Sequence, residues 1–128
     1  MLNYQDIIAL NEAIDSTFGR SSIRDAGHGI HCAIKAGSTE GEHILEIRYE
    51  TIITMHPHNV ETTQREYDDV SIKALNEEIK KIKADFKEIS GKTLTATKGT
   101  NKSYLDIISH NPSVLRGKYY NTIQYIIK

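Results

Sequence analysis

Tryptophan is absent from this 128-residue chain, proline occurs twice and cysteine once. A lone cysteine forms no internal disulfide, so nothing calls for an oxidising compartment. Two prolines and eight scattered glycines leave no Pro/Gly-rich linker, which points to one folded unit over 1–128. An excess of one charge is missing too: 16 Lys and Arg stand against 17 Asp and Glu, for a net −1. A general electrostatic grip on nucleic acid needs a strongly basic face, so no direct sequence-specific nucleic-acid binding is expected. No apolar run reaches the roughly 18 residues of a membrane span. The opening "MLNYQDIIALNE" lacks the basic start and apolar core of a signal peptide. The chain is therefore expected in the cytoplasm or in a virion, not secreted. The glycosylation triplet Asn101-Lys102-Ser103 has no meaning in that setting.

What is present suits a core. Hydrophobic residues make up 38% and charged residues 26%, and the length is enough to bury a core without staples. Isoleucine is the commonest apolar residue and Lys outnumbers Arg 11 to 5. That bias is written by AT-rich genomes, including those of many bacteria and their phages.

Asn3 and Asp6, three apart, can cap a first helix, and Ile7, Leu10, Ile14 and Phe18 follow at helical spacing. Gly19 is the expected stop, and "GRSSIRDAGHG" then reads as a loop. Residues 28–36 and 43–55 alternate as two strands around the turn "GSTEGE". Pairing Ile34 with Leu45, Cys32 with Ile47 and Ile30 with Tyr49 puts six apolar residues on one face, and a one-residue slip breaks the match. "HPHNVETTQRE" reads as a connector, with Thr63 and Glu66 as a capping box. From about 70 to 90, Ile72, Leu75, Ile79, Ile82, Phe86 and Ile89 form a helical stripe, with Glu77 placed to pair with Lys81. The stripe suits a helix on a sheet or a short coiled-coil seam. Strands are expected at 92–98, 103–109 and 118–127, with "KGTNK" as a hairpin turn and Asn111 capping a single turn at Pro112. The predicted fold is α+β in the order α-β-β-α-β-β-β: one mostly antiparallel sheet with two helices on one face.

Six histidines raise the question of a metal. His56 and His58 flank Pro57, and His28 and His31 flank the stretch before Cys32. Zinc needs three or four ligands about 2.0–2.3 Å from one point. In the hairpin register His31 faces Arg48, eight residues and roughly 26 Å from His56. His28 faces Thr51, roughly 16 Å short of His56, and points away from His31. The two stretches do not chelate one ion, and only His110 remains as a third ligand from the other hairpin. No metal and no cofactor is expected. Cys32 points inward among isoleucines, and burial makes a thiol inert. "GKT" at 91–93 lacks the earlier Gly of a P-loop and follows a helix instead of opening one. Asp25 with Glu46 and Arg48 resembles a nuclease constellation, but Glu46 faces Ala33, eight residues from Asp25. The seven tyrosines do not interleave with Arg and Lys along the chain. No catalytic residue emerges.

The isoleucine doublets at 52–53, 107–108 and 126–127 say more. Adjacent strand residues point to opposite faces, so each doublet puts one apolar group on each side of the sheet. With helices on one face, the other keeps Ile44, Ile52, Tyr104, Ile108, Tyr120 and Ile126. Together these approach several hundred Å², more than a lone domain usually exposes. Such a face is covered by a loop or the first helix, closed into a ligand pocket, or buried against another subunit. The last outcome makes the chain a non-enzymatic assembly subunit, working with copies of itself or with partner proteins.

In element order the chain resembles the small α+β ring proteins of phage head–tail connectors and tail-completion complexes. There a helix, a hairpin, a second helix and further strands assemble into rings. The resemblance implies a structural role in a virion neck or tail. It rests on no motif, so no residue carries a role over, and the extra last hairpin departs from the pattern. The element order is also similar in outline to the nuclear-transport-factor-2-like cone. That resemblance implies a ligand pocket or small enzyme, with Asp106 as candidate acid.

Overall fold

A computed structural model describes residues 2–20, 29–110 and 113–127, with backbone alone at 17–20 and 110. Its elements are α1 (Tyr4–Arg20), β1 (Gly29–Ala36), β2 (His43–Met55), α2 (Val60–Ser90), β3 (Ala96–His110) and β4 (Leu115–Ile127). The α+β class holds, and the expected order is corrected to α-β-β-α-β-β.

The first cap forms as expected. The Asp6 N–H donates to Asn3 Oδ1 at 2.8 Å, and the Asn3 N–H donates to Asp6 Oδ2 at 3.0 Å. Lys92, just past α2, reaches the same carboxylate at 3.0 Å and ties the helix ends together. The helix runs through Gly19 to Arg20. The β1–β2 register is the one read from alternation: Ile34 faces Leu45, Cys32 faces Ile47 and Ile30 faces Tyr49. His28, Asp25, Asn111 and Pro112 lie outside the described residues.

α2 begins at Val60, ten residues before the periodic stripe suggests. Its first turns are mostly polar, though Val60 and Tyr67 pack against the core, and the first fully buried residue is Ser71. The chain enters the helix through a turn at Asn59, whose Oδ1 accepts the His56 N–H at 3.0 Å. Thr63 and Glu66 therefore sit inside the helix and cap nothing. The stripe is core: Leu75, Ile82 and Phe86 are fully buried and Ile79 nearly so. Glu77 pairs with Lys80 rather than Lys81, which lies beside Glu78. Gly91 ends the helix at φ 73°, a left-handed conformation that suits glycine, and its N–H donates to the Lys87 carbonyl.

The larger correction concerns "KGTNK". No turn forms there. One strand runs from Ala96 to His110, and the register slips between Lys98 and Asn101 and again between Ile107 and Ser109. Each slip is a β-bulge, where extra residues oppose one on the partner. The three expected strands are therefore two, β3 and β4.

The sheet order is β1-β2-β4-β3, antiparallel throughout. Alternate residues of β2 and β4 face the helices, from Leu45 to Met55 and from Gly117 to Ile127, and all of them are buried. With Ala9, Leu10, Ala13 and Ile14 of α1 and the α2 stripe they make one core. Gly117 is part of this packing. A Cβ there would stand 2.8 Å from Leu105 Cδ1 and 2.9 Å from Met55 Cε, so any other residue would have to displace the tips of both side chains.

Candidate interface on the uncovered sheet face

The intervening residues of β2 and β4 point away from the helices, and none is buried. Antiparallel pairing places the candidate residues. Ile44 faces Ile126 at one end. Ile52 faces Lys118. Tyr104 faces Tyr120, with ring centroids 5.9 Å apart. Ile108 lies in the second bulge of β3 and is 49% exposed. The apolar groups do not merge into one patch, because a charged band crosses the middle of the face.

That band is built across strands. Glu50 of β2 gathers three basic groups: Arg48 at 2.7 Å, Lys118 at 3.6 Å and His31 at 3.7 Å. Arg48 and Lys118 also sit 5.8 and 5.4 Å from the centroid of the Tyr120 ring, within cation–π range. One step along, Lys35 reaches Glu46 at 3.0 Å, Gln124 Nε2 donates to Glu46 at 2.8 Å, and Thr100 donates to Gln124 at 3.1 Å. The Gln124 N–H, with Lys35 behind it, holds the Glu46 carboxyl below its usual range. Asp106 is exposed and faces Lys118. Tyrosines and basic groups that do not interleave along the chain thus do interleave in space. Arg48, Glu50, Lys118 and Gln124 were missed because each acts on a residue of a neighbouring strand.

Inside, a second polar chain locks α2 to β4. Tyr119 donates to Asp68 at 2.5 Å and contacts Ser71 at 3.0 Å. Asn121 donates to Ser71, and Asn101 to Asn121, both at 2.7 Å. Burial pushes the Tyr119 hydroxyl up, so it stays protonated and serves as a donor. Each hydroxyl and amide of this network has a partner, which is what a buried network needs in order to rigidify a core.

The histidines are dispersed. His56 and His58 stack at 5.7 Å beside the start of α2, and His56 Nδ1 lies 3.1 Å from the Ser113 carbonyl. His31 lies on β1 with Glu50. Among the described residues no three potential ligands come together. Cys32 is half-buried, and burial, with the Glu78 carboxylate second, pushes its thiol up to about 12. Among the described residues no helix is long and apolar enough to cross a membrane.

No family model matches the chain, and no curated protein matches it in sequence.

Proposed function

We propose that this chain is a non-enzymatic assembly subunit that works as a homo-oligomer through its uncovered sheet face and β3. The exposure of β3 carries the reading. From Ala96 to Ser109 every residue but Ala96 and Leu105 is exposed. Tyr104, Ile107 and Ile108 keep 59%, 41% and 49% of their surface in water. A strand this long, paired on one edge and covered by neither helix, leaves its other edge and most of its side chains open to a partner.

The charges of the face pair with one another at 2.7–3.6 Å, which makes a contact surface of matched charges. The resemblance of the expected element order to phage connector ring proteins is what supports a place in a virion neck or tail. The cone reading draws no such support, because Asp106 lies exposed on the outer strand.

Ile108→Asp and Ile126→Asp test the surface. Each carboxylate resists burial in a dry contact, so each variant should lose mass by light scattering while its circular dichroism stays native. Unchanged mass with a lost fold would place these residues in the internal core and remove the support for an interface.

A further inference from the structure

β3 and β1 are the outer strands of the sheet, and an outer strand offers unpaired N–H and C=O groups to another chain. The two edges differ in regularity and in charge. The bulges of β3 leave Asn101–Ile107 as its regular stretch, seven residues centred on Tyr104. The charges of that stretch are arranged about the same centre. Lys102 and Asp106 stand two residues before and two after Tyr104, both exposed, and all three share the uncovered face. Among the described residues neither Lys102 nor Asp106 is held in an ion pair. β1 has no such pattern. Its exposed side carries His31 and Lys35, two basic groups that meet under a two-fold through Ala33 instead of a basic and an acidic one.

We infer that the free edge of Asn101–Ile107 pairs antiparallel with the same stretch of a second copy, with Tyr104 on the two-fold axis. The inference rests on the assembly reading above and names its partner and geometry. A two-fold contact is self-complementary, so residue i meets j and j meets i. Lys102 then faces Asp106 of the second copy, twice. Tyr104 faces its own counterpart, with Cβ atoms about 4.5–5.5 Å apart. On the helix side Ser103 meets Leu105 and Asn101 meets Ile107. Two four-stranded sheets become one of eight, and the bulges at both ends stop the ladder from lengthening.

Charge reversal tests the register. Lys102→Glu alone, or Asp106→Lys alone, sets like charges opposite each other at both ends of the seam. Each should weaken self-association about tenfold or more. A one-to-one mixture of the two single variants restores opposite charges at both ends and should recover wild-type affinity, as should the double variant. Sedimentation equilibrium reads all four, and circular dichroism checks each fold. Tyr104→Cys in a Cys32→Ser background should give a covalent dimer on mild oxidation, whereas Thr54→Cys, exposed on the same face of β2, should not. An association that ignores both reversals, or that mixing fails to rescue, overturns the seam and leaves the assembly reading standing. A wild-type chain that stays monomeric at every concentration overturns both.

Discussion

Glu78 is the residue most at odds with its surroundings. It is 1% exposed, its Oε1 lies 3.7 Å from Lys81, and its Oε2 has no hydrogen-bond partner. Burial pushes its carboxyl up, with Lys81 opposing. A carboxyl raised in the folded state costs stability wherever it is ionised there, so the cost is present at neutral pH. It is relieved as pH falls through the folded value toward the ordinary 4.5. Glu78→Gln is therefore expected to stabilise the protein by about 1 kcal/mol at pH 7, with the gain shrinking toward pH 4. Urea unfolding at both pH values checks this, and a loss of stability at pH 7 would show that the carboxylate is better solvated than its burial implies. Cys32 shares that environment. Its thiol stands at about 12 instead of 9, so the thiolate at a given pH is roughly a thousandfold scarcer than in an ordinary cysteine. Alkylation at pH 8 should be slow in the native protein and fast in urea, and equal rates would place Cys32 in the open. That Cys32 points inward was legible from strand alternation alone. The buried acid above it was not, because Glu78 sits among charged residues on a helix whose face is fixed only by the sheet beneath.

Among the elements, the β1–β2 hairpin was the most readable. Its alternation tolerates one register and its turn residues leave little choice, so side-chain period and turn chemistry agree. β3 was the least readable. Gly99 and Thr100 look like the tip of a hairpin, and whether such a pair turns the chain or bulges it depends on what lies alongside. Here Gly99 and Thr100 oppose Gln124 of β4, and Thr100 bonds to its side chain. No local pattern contains that fact. α2 was half readable, because periodicity reports only the portion that touches the core. That portion carries the fold. Phe86 is fully buried in the stripe against the sheet, and Phe86→Ala should cost about 3–5 kcal/mol in urea unfolding. A loss below about 1 kcal/mol would show that the site collapses freely and that the stripe is not the anchor.

At the scale of the molecule, the helices cover β2 and β4 on one side and leave the other side and β3 to water. The isoleucine doublets announced the two-faced sheet, since neighbours in a strand must diverge. They did not announce the charged band across its middle. The contacts of Glu50 with Lys118, and of Glu46 with Gln124, require β2 to lie against β4, and that order is set by the α2 crossover. Ile44 with Ile126, and Tyr104 with Tyr120, were placed on the right face without their partners being known. An uncovered face crossed by ion pairs, beside a long exposed strand, is the surface we propose for another copy of the chain. The mass of the wild-type protein by sedimentation equilibrium, followed over a wide concentration range, tests this most directly. The account predicts an even multiple of 14.5 kDa that dissociates only on dilution. A single species at the monomer mass, up to the highest concentration reached, would contradict it.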